Sequence, residues 1–340
     1  MAYHPQFKIT PRLLSLLTAI TELKAWIVSS TVDVPWLMAL QRDTAARLAH
    51  SSTAIEGNPL SLGQVQGLSR GDKVQAEEKS RHEVLNYFKA LTWIEKESAG
   101  ARFTEKKLFL LHQLITQGLM NQDQIGRYKS KQNLVVDSRG KAVYIPPAPA
   151  ECARLTTELI TWMNQSYQAD LHPLIVGAIA HHRMLSIHPF ADGNGRVSRA
   201  LGIWVLFTRR FDTRHLFAWD EYFEADRSQY YQKIQQAREL DDDLTYWLEY
   251  TAQGLQSALE KTRDRITALQ IKKKGFRFTV TAQQEQVLRF IREHGKVKSA
   301  DIGNAFKFTR SRVNQVVKPL VDADILKREG ETRATTYRVA

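Results

Sequence analysis

Cysteine is almost absent from this chain: Cys152 stands alone among 340 residues. One thiol cannot close an intrachain disulfide, and no cysteine–histidine cluster has zinc spacing. Cys152 therefore reads as a small buried or half-buried thiol. Long apolar runs are also lacking. The longest near the start, LLSLLTAI at 13–20, soon meets Glu22 and Lys24. No small-residue cleavage site follows it, so a signal peptide is not expected. No run reaches the roughly 18 apolar residues of a membrane span. A soluble, cytoplasmic protein with no membrane partner is the expectation. Fixed-period repeats and low-complexity tracts are missing as well. Acidic residues are outnumbered, 36 against 48 Lys and Arg, for a net charge of +12. That balance favours polyanionic partners: nucleotide phosphates, nucleic acid or acidic protein surfaces.

What is present is ordinary for a globular chain of two or three domains, with 43% apolar and 25% charged residues. Apolar spacing predicts helices over 10–29, with Thr10 as N-cap and Pro11 at the first position, and over 34–57, stopped by Gly57 with Pro59 beyond. Further amphipathic helices are predicted over 79–98, 104–119, 150–166, 197–210, 223–239 and 244–269. The segment 172–187 is apolar nearly throughout, as a central core helix should be. Between these, NLVV and AVYI flank DSRG within 132–147, a hairpin ended by Pro146 and Pro147. A lone hairpin is marginal, so it must pack on the helices or cover something.

The segment HPFADGNGRVSR, 188–199, holds the densest chemistry. Gly193, Asn194 and Gly195 allow a tight turn into a helix start, where exposed N–H groups suit phosphate. Asn194 can add a side-chain donor. Arg196 and Arg199, three apart, share a helical face and can fork onto phosphate oxygens. Asp192 at the mouth is the single carboxylate that a phosphate-bound magnesium ion needs. His188, ahead of the helix-stopping Pro189, can take a proton from an incoming hydroxyl. Phe190 anchors the loop. The pieces add up to nucleotidyl or phosphoryl transfer. A chance glycine-rich turn is a poor account of nine specified residues at fixed spacing.

This stretch resembles the signature of the Fic family, His-Pro-Phe-x-Asp/Glu-Gly-Asn-Gly-Arg-x-x-Arg, and matches every specified position. The resemblance covers roughly residues 35–250. It implies a mainly α fold: a Fic helical core with a β-hairpin flap. It implies transfer of AMP from ATP, with Mg²⁺, to a hydroxyl side chain of a target protein. His188 would be the base and Asp192 the metal ligand. Gly193, Asn194 and Gly195 would hold the α-phosphate, and Arg196 and Arg199 the outer phosphates. Val197 and Ser198 complete the segment assigned to the nucleotide. Gly195 stands where phosphotransferase relatives usually have Lys, which favours AMP transfer. The hairpin resembles the family's flap, which aligns the target by strand addition, with Val143 and Tyr144 as its contacts. Many relatives have Arg where this chain has Lys129. Tyr230 and Tyr231 fall where relatives touch adenine; helix packing is the alternative for both.

SSTAIEGN, 51–58, ends a helix at Gly57, yet puts Glu56 at the negative end of that helix. The stretch resembles the family's inhibitory motif, Ser52 to Gly57. The resemblance implies that Glu56 pairs with Arg199, blocks the γ-phosphate site, and in some relatives assists AMP removal.

After the basic joint 270–279 come helical patterns over 281–295, 299–307 and 309–325, then a charged hairpin over 326–340 turning at Gly330. The order resembles a small α+β winged helix-turn-helix. Residues 276–340 hold thirteen Lys/Arg against seven Asp/Glu, with Arg310, Arg312, Asn314 and Gln315 on the recognition helix. DNA binding and protein docking both remain open for it. The expected division is 1–100 (helical, inhibitory helix at about 44–57), 101–269 (Fic core) and 276–340. The leading reading is a self-inhibited protein adenylyltransferase that can also modify itself. The alternatives are a DNA-binding regulator with a nucleotide-sensing core, or a Fic enzyme moving another phosphate-linked group. A homodimer is compatible with the sequence, but no residue compels it.

Overall fold

A computed structural model describes residues 3–97, 102–136, 140, 142–165, 170–211, 213–272, 280–323, 325–330 and 335–339. The chain forms two compact units, Met1–Val28 with Gln41–Arg263, and Ser29–Leu40 with Asp264–Ala340.

The first unit is helical. Its elements are α1 (Pro11–Ser29), all but the first two turns of α2 (Val34–Ile55), α3 (Leu62–Arg70), α4 (Glu78–Glu97), α5 (Glu105–Thr116), α6 (Pro149–Gln165), α7 (Pro173–Ile187), α8 (Asn194–Thr208), α9 (Asp220–Ala225), α10 (Arg227–Glu239) and α11 (Thr245–Lys272) up to Arg263, with the strands β1 (Val135–Val136) and β2 (Ala142–Tyr144). Thr10 caps α1 as expected, its hydroxyl accepting from the Leu13 amide at 3.0 Å. The apolar segment forms α7, buried nearly all round, and α8 packs across it. Two glycines permit that crossing. A Cβ on Gly177 would stand 3.1 Å from the Gly202 carbonyl, and one on Gly202 would stand 3.5 Å from that of Gly177. Val176, Ala180, Met184 and Ile187 of α7 join Val197, Leu201 and Trp204 of α8 in one core with residues of α4 to α6. Cys152 lies fully buried, as read from the sequence.

β1 and β2 pair antiparallel, Val135 opposite Tyr144, where the hairpin was expected. Its tip, 137–139 and 141, lies outside the described residues, as do 273–279 of the basic joint and 331–334 of the second hairpin.

The second unit holds α12 (Ala282–His294), β3 (Lys296–Lys298), α13 (Ser299–Phe306), α14 (Arg310–Asp322), β4 (Leu326–Glu329) and β5 (Thr336–Val339). Its sheet is antiparallel with order β3-β5-β4. Val34 is buried in its core beside Val287, Ile291, Val313 and Val317.

Four local readings change. The helix expected over 223–239 is two, broken at Asp226, whose carboxylate accepts from Gln229 N and starts α10. α3 went unread although Ser61 and Gln64 form a capping box and Gly71 closes it in the left-handed region. α8 begins at Asn194, not at 197. β3 is three residues long, too short to display a period. Among the described residues no helix is long and apolar enough to cross a membrane.

Filling the α7–α8 crossing should force the two backbones apart. Gly177→Val is expected to cost about 1–3 kcal/mol, read as a lower urea midpoint at unchanged helix content.

Candidate active site

The loop 188–193 is held from several sides. His188 ends α7 in the left-handed region, φ 48°, its amide donating to Met184 O. Asn194 then closes the turn: Phe190 N donates to its Oδ1 at 2.9 Å and its Nδ2 donates to Phe190 O at 2.8 Å. Asn133 Nδ2 donates to the same carbonyl at 3.0 Å, and Lys129 N to Pro189 O at 2.8 Å. Buried Phe190 stacks on His112, centroids 3.9 Å apart. Gly126 N donates to His112 Nδ1, so Nε2 carries the proton and donates to Asp192 O at 3.1 Å. Burial lowers the His112 pKa to about 4, which keeps that ring neutral. Its role was not read from the sequence, since it comes from α5.

Past this turn the chain enters α8 through Gly193, φ 80°. A Cβ there would meet Thr116 Cγ2 at 2.7 Å, so glycine is required for space as well as conformation. Helix geometry leaves the N–H groups of Asn194, Gly195 and Arg196 without partners inside the helix, a start suited to an anion. Asp192 stands at the rim with 69% of its side chain exposed, its Oδ1 accepting from Gly193 N. Arg196 is buried and donates through Nη1 to Glu83 of α4. Glu83 also accepts from Asn58 Nδ2 at 2.7 Å.

Arg199 is 1% exposed. Its Nε donates to Ser52 Oγ at 2.8 Å, and its Nη2 to Ser52 O and to Glu56 Oε1, each at 2.7 Å. Asp220 Oδ2 lies 3.9 Å from its Nε. Burial pushes Asp220 up to about 6, against the pull of Arg199, Ser52 and Tyr87. Glu56 also lies against the helix start: a Cβ on Gly195 would fall 2.1 Å from Glu56 Oε1. The carboxylate that sat awkwardly at the end of α2 is thus met by a guanidinium and by the positive end of α8.

His188 is half-buried. Its Nδ1 lies 3.3 Å from Leu185 O, an acceptor, so Nδ1 bears the proton and Nε2 is free to accept one. Burial first, with Lys129 and Arg238 nearby, lowers its pKa to about 4. The ring is neutral at pH 7.

The arrangement joins a neutral imidazole at the end of α7, a carboxylate just before α8 and two buried arginines in the first turns of α8. A family model described as Fic/DOC family matches residues 102–206, the segment that ends with this loop and most of α8. The chain carries a Fic/DOC family domain. The protein adenylyltransferase Fic of Drosophila willistoni is 30% identical over 156 residues, 45% of this chain and 30% of that protein; its Drosophila melanogaster counterpart gives the same figures. The match thus spans under a third of the curated relatives' length. Among solved structures, a Fic family protein from Desulfovibrio desulfuricans G20 superposes over 99% of this chain and 98% of its own, at TM-score 0.67 and 24% identity. A Fic domain protein from Bacteroides thetaiotaomicron does so over 78% and 100%, at 0.62 and 23%. These likenesses establish the fold.

Not every residue expected at the Fic site faces it. Val197 is buried in the core and Ser198 donates its hydroxyl back to Asn194 O, so their side chains are turned away from a ligand. Asn194 spends its amide on Phe190 rather than standing open as a donor. Tyr230 is a correction: it is fully buried, stacks on Phe223 and shares a 2.9 Å hydrogen bond with His181. Packing explains it. Tyr231 is 45% exposed and donates to Ile55 O, one residue from Glu56. Val143 is exposed, while Tyr144 donates to Ser186 O at 2.7 Å beneath the Arg238 guanidinium. Lys129 Nζ donates to Asn133 Oδ1 at 2.7 Å. Gly57 takes φ 96°, the turn that aims Glu56.

Among the described residues no three His, Cys, Asp or Glu cluster as a metal cage. Asp192 alone at the rim suits a hard cation that brings phosphate oxygens and water as its other ligands.

Five rings set the response to acid. His112, His172, His182 and His188 are held to about 4, 4, 3 and 4, and His181 well below its usual value, chiefly by burial, against 6.5 when free. Below pH 6.5 the unfolded chain binds protons there that the folded chain refuses, so stability falls with pH. Asp220, raised above its free value, offsets one of them between about pH 4 and 6. Urea midpoints are expected to drop steadily from pH 6.5 to 4.5; a flat profile would contradict the burial of these rings.

Proposed function

We propose that this protein is an adenylyltransferase that moves AMP from ATP to a Ser, Thr or Tyr hydroxyl of a target protein, itself included, and is restrained by Glu56. The observation that carries this reading is the seat of the Glu56 carboxylate, on Arg199 and against Gly195, where an anion at the start of α8 would lie. The curated name of the Drosophila relatives supports the reaction class.

In the reaction, the amides at Gly193–Arg196 face the α-phosphate, and Arg196 and Arg199 face the outer phosphates. Asp192 would hold Mg²⁺, which supplies charge neutralisation on the phosphates. The target segment lies along β2 by strand addition, its apolar residues meeting exposed Val143 and Ile145. The target hydroxyl gives its proton to His188 Nε2 as its oxygen bonds to the α-phosphorus. The bond to the bridging oxygen breaks and pyrophosphate leaves. Glu56 must first quit Arg199. Arg199 then keeps Ser52 and Asp220, so releasing the brake does not strand a buried charge. The element order of the second unit supports reading it as a winged helix-turn-helix module carried alongside the enzyme.

The test uses ATP labelled on the α-phosphate, with Mg²⁺. Glu56→Gly is expected to label protein at least tenfold more than wild type, and Glu56→Gly with His188→Ala to lose that label by 10²-fold or more. Equal labelling of wild type and Glu56→Gly would remove the brake. Binding of nucleotide with no covalent α-label in any sample, cell lysate included, would point to another donor. Tyr231→Ala in the Glu56→Gly background is expected to raise the KM for ATP, whereas Tyr230→Ala should lower thermal stability. The KM series and a melting curve separate the two.

A further inference from the structure

The basic second unit has no part in that chemistry. Its α12–β3–α13–α14–β4–β5 order places α14 after a three-residue turn at Lys307–Thr309, with the Thr309 hydroxyl accepting from Arg312 N. One side of α14 is interior: Val313, Val316, Val317 and Leu320 are buried. The other is solvent-facing and polar. Arg310, Asn314 and Lys318 recur at four-residue spacing along it, flanked by Ser311 and Gln315, and all five are exposed. No acidic residue interrupts α14 before Asp322. The sheet is basic on one row: Lys327, Arg338 and Lys296 are cross-strand neighbours on β4, β5 and β3. Glu329 pairs with both Lys296 and Arg338, and among the described residues no carboxylate pairs with Lys327.

We propose that this unit binds double-stranded DNA, with the exposed stripe of α14 in the major groove and the β4–β5 hairpin on the phosphates. The groove, about 12 Å wide, admits one helix. Arg310 offers the fork that suits guanine, and Asn314 offers the donor–acceptor pair that suits adenine, while Gln315 Oε1 accepts from Arg312 Nη1 at 3.2 Å. Lys318 and Lys327 supply charge that reads no sequence. A protein partner fits less well. Interfaces between proteins lean on aromatic or aliphatic anchors, and among the described residues no large exposed apolar side chain lies on α14 or on β3 to β5. Binding of this kind lets the enzyme act while held at a DNA site.

The test uses the full chain. A pool of random-sequence duplexes is put through rounds of binding and recovery, and the enriched duplex is titrated by fluorescence anisotropy from 50 to 300 mM KCl. A shared enriched motif and a steep loss of affinity with salt are expected. Asn314→Ala should erase the preference for that motif by about tenfold, with little effect on binding to a scrambled duplex. Lys327→Ala should weaken both duplexes alike and lower the salt slope by about one. All of these residues are exposed, so unchanged melting curves serve as the folding control. No duplex binding at 50 mM KCl would overturn the proposal. So would binding without an enriched motif that a heparin oligosaccharide of equal charge matches, since that marks a charge-only surface. Loss of α-label transfer in the Asn314→Ala variant is not expected, so failure here leaves the reading of the first unit untouched.

Discussion

A guanidinium that cannot shed its charge sits in the interior of this protein. Arg199 is buried on every side; Ser52 and Glu56 accept from its N–H groups and the Asp220 carboxylate lies 3.9 Å from its Nε, so its charge is compensated. Burial alone would lower its pKa, but Glu56, Tyr230 and Asp220 together hold it well above its usual value. These contacts tie α2, α8 and α9 into one arrangement. Two of the three partners are structural. The third, Glu56, is partly exposed and lies against the start of α8, so one contact completes the charge balance and also covers that helix end.

The α7–α8 crossing gives this site its rigidity. Glycines at 177 and 202 bring the two backbones together, and the loop between the helices inherits their fixed ends. Asn194, Asn133, Lys129 and His112 then pin the loop from three separate elements. The His188 imidazole at one helix end and the free N–H groups at the next helix start are thereby held within a six-residue turn. Neutral His188 follows from the same packing, because a ring so desolvated refuses its second proton at neutral pH.

Much of this was legible in the chain. The cap at Thr10, the stop at Gly57, the apolar α7 and the hairpin at 132–147 each rest on local rules that hold wherever the segment ends up. The signature loop was legible for the same reason, since its turn, its helix start and its charges lie within twelve residues. What escaped was short or distant. β3 has too few residues for a period, and the break at Asp226 hides within a continuous helical pattern. Tyr230 and Tyr231 are adjacent and alike in sequence, yet their side chains point to opposite fates: one enters the aromatic core around α7, the other reaches the carbonyl before Glu56. Helical spacing defines faces without saying which face meets the core.

The sequence by itself determined the helical class, the caps and the chemistry offered at 188–199, because those depend on backbone preferences and on side chains close together in the chain. Only the tertiary structure decided which groups meet across it. Glu56 and Arg199 are 143 residues apart, and Glu83 and Arg196 are 113 apart. Contacts at that separation form only once the whole core has packed. Packing selects them through shape and the need to pair buried charge, which no local pattern records.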